Sequence, residues 1–535
     1  MRQAHTKLVT GEQMARIDGR AIRGGIPGAA LMESAGRGVT RVLKDLLDGL
    51  PGRRVAILCG KGNNGGDGLV VARLAAASGA TVRTFLFATK KEVKGDARLQ
   101  LDRARLLGLP IEEIRSSEDM GKVASALLDA GAAVDALLGT GLRGGVSGPM
   151  AEAIGLLQAA ACPIVAVDVP SGLDAATGRA EGPCAAARAT VTFGQPKLGH
   201  FFYPGRTFSG RLHVVDIGLP PAAVEAEPPE TYLLAAHGGA SLLPVRAPNA
   251  HKGDCGRVVF LAASVGLTGA AALAAEAALR AGAGLVTVGI PESLNDILEV
   301  KLTEAMTCPL PEVKKARCLA LRARGAAQRF LARANCVALG PGLGVHRETV
   351  ALIQRLLPDI RVPAVLDADA LNALAGDTGR LGALSAPAVI TPHPGEFSRL
   401  TGIDISDVIA DPVGVARELA RTSGVTVVLK GAPTVVAAPA GPVFVNPSGN
   451  AGMATGGAGD VLTGVIAALI GQGLETVQAA CLGVYLHGLA GDVSAHTHGQ
   501  TGLIAGDLVA ALPAAEQRIR NGQDCHDYIH FCSEA

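Results

Sequence analysis

Short apolar runs that favour β-strands alternate with helical patterns through the first part of the chain. Arg54–Cys59 (RVAILC) is such a run, and the glycine-rich loop Gly60–Gly68 separates it from a helical pattern that ends near Ser78. Strand–loop–helix order of this kind indicates a parallel sheet with helices on both faces. Thr10 with Gln13 forms a capping-box signal for an opening helix. The remaining elements predicted here are a helix at 27–47, strands at 81–87, 132–138 and 163–169, and a helix at 148–160.

A proline- and glutamate-rich segment without periodicity, Gly218–Glu230, interrupts this alternation and marks a domain boundary. We therefore expect two α/β domains, residues 1–218 and 232–515, joined by a linker at 219–231. The polar tail, residues 516–535, is expected to be disordered or a peripheral appendage. The elements predicted for the second domain are strands at 257–262, 285–290, 336–339, 364–366, 388–391 and 425–429, a helix at 268–281, a hairpin at 434–445 and three closing helices.

Composition supports two apolar cores and excludes several classes of protein. The chain has 535 residues, 48% hydrophobic content and a net charge of +1, so no basic stripe points to nucleic acid. The apolar stretch 461–491 is interrupted by glycine and polar residues, which favours two buried helices over a membrane span. The ten cysteines form no CxxC pair and the N-terminus shows no secretory signal, so we expect reduced thiols in a cytoplasmic protein.

The loop after the first apolar run has the GxGxxG spacing, Gly60 to Gly65. The acidic ribose partner of an ordinary dinucleotide fold is missing, because Thr89, Lys90 and Lys91 stand near the end of the next strand. The glycines still expose backbone N–H groups near a helix N-terminus, which favours a phosphate. The alternative is a tight turn capped by Asp67.

Further polar residues follow neighbouring strands of the same predicted sheet. Asn64 lies on the first loop, Asp135 on a later strand, and Asp168 and Ser171 at the end of the next one. Amide and carboxylate oxygens together suit a weakly hydrated hard cation. Asp168 stands where a general acid/base would stand, and its alternative role is to cap the turn before a proline.

These motifs resemble the NAD(P)H-hydrate epimerase family over residues 10–218. The segments that carry the resemblance are Gly62–Gly68, Asp135 with Gly139–Gly141, and Asp168–Asp174. The resemblance implies a Rossmann-like three-layer domain that interconverts the R and S epimers of hydrated NAD(P)H, with Asp168 as the candidate acid/base. It implies a potassium ion at Asn64, Asp135 and Ser171. The implied substrate contacts are Asn63, Asn64, Gly65, Gly66, Asp67, Gly139, Thr140, Gly141, Leu142, Arg143, Gly144, Gly145 and Asp168.

The strongest local signal is the glycine-rich segment Asn450–Asp460, which leads directly into an apolar helical run. Glycines at a helix N-terminus offer backbone donors and a positive dipole to a phosphoryl group in transfer. Asp460 lies in the first turn, where it could accept a proton from a substrate hydroxyl. The alternative is a simple N-terminal helix cap.

This segment looks like the anion hole and base of the ribokinase-like superfamily. Four further motifs, together with the run Asn249–Gly256, make residues 232–515 resemble the ADP-dependent NAD(P)H-hydrate dehydratase family. Those motifs are Gly340–Gly344, Asp367–Asn372, Thr391–Glu396 and Lys430–Thr434. One departure is Ala458, where the family often has a hydroxyl or another small residue, and we expect a small effect on phosphate contacts.

The second resemblance implies that ADP phosphorylates a ring hydroxyl of the hydrate, and that elimination gives NAD(P)H, AMP and phosphate. Asp460 would be the base, and magnesium would lie on the phosphates. The implied hydrate contacts are Ala270, Gly342, Gly344, His393 and Asp460, and the implied adenine-nucleotide contacts are Lys430, Gly431, Ala432, Pro433, Thr434 and Gly459. His393 has a second interpretation, a satisfied loop histidine beside prolines.

Two other functions stay open from the sequence. One is a ribokinase-like kinase of a small alcohol, such as a vitamin precursor, with an accessory N-terminal module. The other makes the first domain a non-catalytic binding module. The Lys430–Thr434 and Thr391–Glu396 motifs favour the dehydratase over the kinase, and Asp135, Asp168 and Ser171 argue against a non-catalytic module. We expect nucleotide ligands, no nucleic-acid or membrane partner, and a homo-oligomer.

Overall fold

The computed structural model describes residues 6–228, 231–524 and 528–532. They form two compact units, one built from residues 7–228 and 528–532 and the other from residue 6 and residues 231–524. Each unit is described by itself below.

The first part of the chain supplies eight strands and eight α-helices. The strands are β1 (Thr6–Leu8), β2 (Arg54–Cys59), β3 (Thr81–Leu86), β4 (Ile111–Glu113), β5 (Ala132–Ala136), β6 (Ile164–Val167), β7 (Ala189–Phe193) and β8 (Arg211–Val215). The helices are α1 (Gly11–Arg23), α2 (Gly28–Leu46), α3 (Asn63–Ala77), α4 (Gly95–Leu106), α5 (Met120–Asp129), α6 (Gly148–Ala159), α7 (Gly205–Ser209) and α8 (Pro221–Glu225). Short 3₁₀ helices lie at Ser117–Asp119 and Leu198–His200.

The second part supplies the remaining elements. The strands are β9 (Thr231–Leu233), β10 (Arg257–Leu261), β11 (Leu285–Pro291), β12 (Met306–Leu310), β13 (Glu312–Val313), β14 (Cys318–Leu319), β15 (Cys336–Leu339), β16 (Ala364–Leu366), β17 (Ala388–Ile390), β18 (Thr426–Leu429), β19 (Thr434–Ala437), β20 (Val443–Asn446) and β21 (Ile529–Cys532). The helices are α9 (Ala236–Ala240), α10 (Thr268–Arg280), α11 (Asn295–Lys301), α12 (Arg324–Leu331), α13 (Arg347–Leu356), α14 (Ala368–Asn372), α15 (Pro394–Thr401), α16 (Ile405–Ala410), α17 (Pro412–Ser423), α18 (Ala458–Gly471), α19 (Thr476–His498) and α20 (Ala505–Arg520). Further 3₁₀ helices lie at Glu292–Leu294, Leu321–Ala323, Leu357–Asp359, Thr378–Ala383 and Ala451–Met453.

The first unit is a parallel sheet between two helical layers, as the alternating pattern predicts. Its strand order is β21-β8-β7-β6-β5-β2-β3-β4, and every pairing is parallel. Side chains of β2 alternate between two cores: Val55 and Ile57 pack on one face, and Ala56 and Leu58 on the other. Because all strands run the same way, the loops after β2, β5 and β6 meet at one edge of the sheet.

Local signals set the start of the first helix. The Thr10 hydroxyl accepts a hydrogen bond from the Gln13 N–H at 3.2 Å, and the Gln13 side chain accepts one from the Thr10 N–H at 2.8 Å. This confirms the predicted capping box, which satisfies two N–H groups that the helix itself leaves free.

The second unit has a larger sheet of mixed direction. From β12 the order is β12-β11-β10-β15-β16-β17-β18, all parallel, followed by the antiparallel strands β19 and β20 and then by β9. The predicted hairpin at 434–445 is therefore confirmed, whereas β12 was not predicted. Helices α10 and α18 approach closely, since a Cβ at Gly464 would lie 2.1 Å from the Ala274 carbonyl oxygen.

The predicted linker and tail contain more structure than expected. Residues 221–225 of the linker form α8, and the nearby Glu227 carboxylate is 2% exposed and ion-paired with Arg16 at 2.6 Å and Arg20 at 2.7 Å. The described part of the tail is ordered: α20 ends at Arg520, and β21 adds a parallel strand beside β8 at the edge of the first unit's sheet. The prediction of disorder is therefore wrong for residues 516–524 and 528–532. Residues 525–527 and 533–535 lie outside the described residues.

Two expectations from composition can be compared with the described residues. The nine cysteines among them are all free thiols. No helix formed by the described residues combines the length and the apolar character needed to cross a membrane.

Candidate active sites

Asn64, Asp135 and Ser171, the three predicted cation ligands, lie together at the edge of the first sheet. The Asn64 amide donates to the Leu138 carbonyl at 3.0 Å. The Ser171 hydroxyl and N–H both donate to the buried Asp135 carboxylate, at 2.5 and 2.8 Å. Burial raises the pKa of Asp135 to about 6, although the bonds from Ser171 oppose the rise. The cluster offers amide, hydroxyl, carbonyl and carboxylate oxygens and no nitrogen or sulfur ligand.

Asp168 stands next to this cluster at the end of β6, in a strained backbone conformation with φ of +64°. Its N–H donates to the Val191 carbonyl at 2.7 Å. Its carboxylate accepts from the Thr192 hydroxyl at 2.9 Å and from the Lys197 ammonium. Strain of this kind in a non-glycine residue persists only where surrounding contacts hold it, and it is concentrated at functional sites.

Lys197 was not predicted, and it is the main charged partner of Asp168. Its side chain is fully buried, and its ammonium also donates to the Thr192 hydroxyl at 2.9 Å and the Phe193 carbonyl at 3.3 Å. A buried lysine is tolerated only when its charge is paired and its donors are used. The sequence signal available was weak: one lysine after an apolar strand, in Gly194–Leu198.

His200 fixes the main chain around this ion pair. Its Nδ1 accepts from the Lys197 N–H at 3.2 Å, so Nε2 carries the proton that it shares with the Asp168 carbonyl at 3.1 Å. Burial, with the nearby ammonium of Lys197, lowers the pKa of His200 to about 3, and the ring is neutral at physiological pH. His200 therefore orients the pair without adding charge.

Two further carboxyls, those of Asp67 and Asp18, interact with the charges of Asp168 and Lys197. Burial raises the pKa of Asp67 well above its usual value, and the charges of Asp168 and Asp18 raise it further. Asp67 lies inside α3, whose N-cap is Gly62 without a side-chain cap bond, so Asp67 does not cap this turn.

Gly65 allows the chain to pass Gly60, because a Cβ at Gly65 would lie 1.8 Å from the Gly60 carbonyl oxygen.

The predicted loop Gly139–Gly145 lies against α1. A Cβ at Gly11 would approach the Thr140 carbonyl oxygen to 2.7 Å, and the Arg143 guanidinium pairs with Glu12. The structure thus brings Thr140 and Arg143 to the wall that α1 forms.

The second unit has its own charged site at the N-terminus of α18. Asp460 lies in the first turn, and the N-cap is Gly457, with φ of +93° and no side-chain cap bond. Asp460 is therefore not the cap of this helix. Burial, together with the charge of Asp367, raises the pKa of Asp460 to about 7, although Lys430 opposes the rise.

Lys430 and the buried Asp367 form an ion pair beneath this helix end. The Lys430 ammonium lies 2.8 Å from Asp367 Oδ1 and 3.6 Å from Glu396 Oε2. The other Asp367 oxygen accepts from the Thr463 hydroxyl of α18 at 2.7 Å. Burial alone would lower the pKa of Lys430, but Asp367 and Glu396 raise it overall.

The predicted adenine-nucleotide residues follow β18 and reach the same helix end. A Cβ at Gly459 would lie 3.2 Å from the Lys430 ammonium nitrogen, so the side chain passes directly beneath the first turn of α18. The Thr434 hydroxyl donates to the Gly431 carbonyl at 3.1 Å and closes the turn that contains Ala432 and Pro433.

The predicted hydrate-binding residues of this unit also cluster. Gly342 and Gly344 have positive φ, and a Cβ at Gly342 would lie 3.3 Å from the Ala270 methyl. The Gly344 N–H donates to Asp369 at 2.8 Å. Asp369 also contributes to raising the pKa of Asp460.

His393 serves as the N-cap of α15. Its Nδ1 accepts from the Gly395 and Glu396 N–H groups at 3.0 and 3.3 Å, and Glu396 returns the capping interaction. The side chain is 49% exposed, which leaves Nε2 accessible beside Glu396 Oε1 at 3.5 Å. The ring therefore has a structural role at one nitrogen and a free edge at the other.

A cavity of about 530 Å³ lies elsewhere in the second unit, among Arg246, Arg280, Gln472 and Arg520. It lies beyond the C-terminal end of α18, whereas Asp460 lies at the N-terminal end. The paired charges and the glycine loop lie at the Asp460 end of the helix instead.

Together the folds and sites define a class: a two-unit α/β enzyme with a Rossmann-like first unit and a ribokinase-like second unit. Two family models match this chain, one in each of the two units. The model described as YjeF-related protein N-terminus matches residues 28–199, and the one described as NAD(P)H-hydrate dehydratase matches residues 258–514.

Similar proteins extend over nearly the whole chain. The bifunctional NAD(P)H-hydrate repair enzyme Nnr of Moorella thermoacetica is 47% identical over 95% of this chain and 96% of its own length. The enzyme of that name from Escherichia coli is 38% identical over 88% of this chain and 85% of its own. The ADP/ATP-dependent NAD(P)H-hydrate dehydratase of Bacillus subtilis, co-crystallised with ATP and Mg²⁺, is 30% identical, covers 54% of this chain and 98% of its own, and has a TM-score of 0.47. The chain belongs to the family of bifunctional NAD(P)H-hydrate repair enzymes.

Proposed function

We propose that the second unit dehydrates the S form of hydrated NAD(P)H with ADP as co-substrate, and that the first unit interconverts the R and S forms. The observation that carries the dehydratase assignment is the half-buried Asp460 at the N-terminus of α18, above the Lys430–Asp367 pair. The observation that carries the epimerase assignment is the strained Asp168, paired with the buried Lys197.

For the dehydratase, Asp460 removes the proton from the ring hydroxyl as that oxygen attacks the terminal phosphorus of ADP. With a pKa near 7, the carboxyl is a matched base at neutral pH. The backbone N–H groups and dipole of α18 stabilise the charge that develops on the phosphoryl oxygens. Phosphate then leaves with its C–O bond electrons, and loss of a proton from the neighbouring ring carbon restores NAD(P)H.

Lys430 sits beside Gly459 and supplies a positive charge to the nucleotide phosphates, while Asp367 and Thr463 hold it beneath the helix. Ala270, Gly342, Gly344 and the free edge of His393 would contact the hydrate, and residues 430–434 with Gly459 the adenine nucleotide.

Magnesium would be held chiefly by the phosphates and water. The described residues contain no group of three His, Cys, Asp or Glu side chains arranged for a metal ion. That is typical of Mg²⁺, which keeps several waters and uses few protein ligands in phosphoryl-transfer sites. Bound there, it would neutralise the charge on the phosphoryl group.

For the epimerase, Asp168 acts as the acid/base at the hydroxyl-bearing ring carbon. Lys197 keeps its carboxylate oriented, and neutral His200 holds its main chain. Residues 63–67 and 139–145 would bind the nucleotide portion of the hydrate.

Potassium fits the cluster of Asn64, Leu138, Asp135 and Ser171, because its potential ligands are all oxygens and carry a single carboxylate. The ion would supply a fixed positive charge for the substrate phosphates. We further propose a homo-oligomer in the cytoplasm, with NAD(P)H hydrates and adenine nucleotides as its small-molecule partners.

The dehydratase is tested with pure S-hydrate and ADP, following absorbance of reduced nicotinamide together with AMP and phosphate. We expect NADH, AMP and phosphate in equal amounts. Asp460→Asn should abolish turnover and keep ADP binding, whereas Asp129→Asn, an exposed carboxylate on the first unit, should leave turnover unchanged. Turnover retained by Asp460→Asn would exclude this base, and ATP-dependent phosphorylation of a small alcohol without NADH formation would favour the kinase alternative.

A further inference from the structure

Helix α1 forms one wall of the first unit's site. The chain before it pairs with the segment that carries Lys197, through the Val9 N–H to the Pro196 carbonyl and the Leu198 N–H to the Val9 carbonyl, both at 3.1 Å. Met14 of this helix packs against the turn after β7, since a Cβ at Gly194 would approach the Met14 methyl to 3.2 Å. Asp18 follows Met14 by one helical turn, so it lies on the same face.

Asp18 has a buried oxygen that the fold leaves unused. Its Oδ1 is shielded from solvent and has no hydrogen-bond partner among the described residues. A buried carboxylate oxygen without a partner costs stability, so its retention needs a reason outside the fold. Glu227, a nearby acidic residue of the same unit, is by contrast fully paired with Arg16 and Arg20.

Burial and the neighbouring charges together favour the protonated form of Asp18. Burial raises the pKa of Asp18 to about 6. The charge of Lys197 opposes this rise, and the charge of Asp168 adds to it. Asp67 is close enough to couple to it, and His200 is neutral. Asp168 has Lys197 in direct contact, whereas Asp18 has no such contact. Asp168, paired with an ammonium, and Asp18, whose protonated form burial favours, can provide a base and an acid in one site.

We propose that Asp18 is the second acid/base of the epimerase, acting on the hydrate from the α1 side while Asp168 acts from the sheet edge. This inference rests on the proposed epimerase function of the first unit. A reaction that inverts one carbon benefits from proton donors and acceptors on two sides, since the hydroxyl leaves one face and returns to the other.

The step balances as a loss and a return of water. Asp18 donates its proton to the ring hydroxyl, the C–O bond breaks, and the lone pair of the adjacent ring nitrogen forms a C=N bond. Water then attacks the opposite face, its electron pair forms the new C–O bond, the C=N electrons return to nitrogen, and Asp168 accepts the proton from water. The reverse reaction exchanges the two roles, and solvent resets both carboxyls.

The test compares inversion with oxygen exchange in ¹⁸O water, starting from a pure R- or S-hydrate without ADP. For the wild type, we expect each inversion to incorporate one solvent oxygen. For the epimer whose hydroxyl faces Asp168, Asp18→Asn should lower inversion at least 100-fold and keep ¹⁸O incorporation into the unchanged epimer above the spontaneous rate, because Asp168 can still release and return water on its own face. Asp129→Asn is the matched control and should retain both rates.

The outcomes are distinct from those that test the epimerase itself. No wild-type inversion beyond the spontaneous rate removes the proposed function. Wild-type inversion without ¹⁸O incorporation overturns the water-loss step. Asp18→Asn overturns the role of Asp18 if it inverts either epimer at near wild-type rate. It also does so if both epimers lose exchange and inversion together while its thermal unfolding midpoint and S-hydrate dehydration are retained.

Discussion

The dehydratase rate should depend on pH through the ionisation of Asp460. Burial, together with the charge of Asp367, places the pKa of Asp460 near 7, so the carboxylate fraction is about one tenth at pH 6 and about nine tenths at pH 8. If Asp460 is the base, kcat/KM for the S-hydrate should rise about tenfold between these pH values. A carboxyl with the ordinary pKa of 3.8 would be fully ionised throughout and would give a flat profile.

The assay follows NADH formation from S-hydrate at saturating ADP, between pH 5.5 and 8.5, with the spontaneous rate subtracted. Glu396→Gln provides a directional check, because the Glu396 charge contributes to raising the pKa of Asp460 and glutamine can still accept from the His393 N–H. Its profile should shift to lower pH. A wild-type profile that is flat from pH 6 to 8, or a Glu396→Gln profile that shifts to higher pH, would show that Asp460 is not the base.

Three further predictions concern buried charges. Lys197→Met should leave the Asp168 carboxylate unpaired, cost about 3–5 kcal/mol in urea unfolding of the first unit, and abolish epimerisation while dehydration persists. Thr463→Val should remove the bond to Asp367 and cost about 1.5–3 kcal/mol, measured in the same way. For Asp18, the raised folded pKa means that stability falls as pH rises from about 4 to about 6. Asp18→Asn should therefore be about 1–2 kcal/mol more stable than the wild type at pH 8, with no difference near pH 3, after allowance for solvent screening; an equal or lower stability at pH 8 would contradict this assignment.

Much of the fold could be predicted from local patterns. The strand at Cys336–Leu339 and the strand at Ala364–Leu366 have the predicted bounds, because each is a short apolar run between glycine or polar turns. Edge strands were harder to predict. Residues 306–310 of β12 are partly exposed and include a proline, and β21 pairs with β8 from more than 300 residues away, which no local pattern can indicate.

The site residues likewise differ in whether a local sequence pattern indicates them. Asp168 and Asp460 stand in glycine- or proline-marked motifs at strand and helix ends, so sequence reasoning could single them out. Lys197 and His200 stand in a glycine- and proline-containing run after β7, Gly194–His200, but as single residues without a recognisable polar motif, and Asp18 lies inside α1. Their roles arise from tertiary packing that buries an ammonium against Asp168 and leaves an oxygen of Asp18 without a partner. Single charged residues in amphipathic segments are usually solvated, and only the fold shows which are not.

The most direct test of the two activities uses an equilibrated mixture of R- and S-hydrated NADH with ADP. We predict that the wild type recovers all of the mixture as NADH, that Asp168→Asn recovers only the S fraction before slow spontaneous epimerisation, and that Asp460→Asn recovers none. Asp168→Asn and Asp460→Asn mixed together should again recover all of it, since each retains one intact site. Wild-type recovery of only the S fraction, or failure of the two variants to complement each other, would contradict the claim that this chain carries both activities at separate sites.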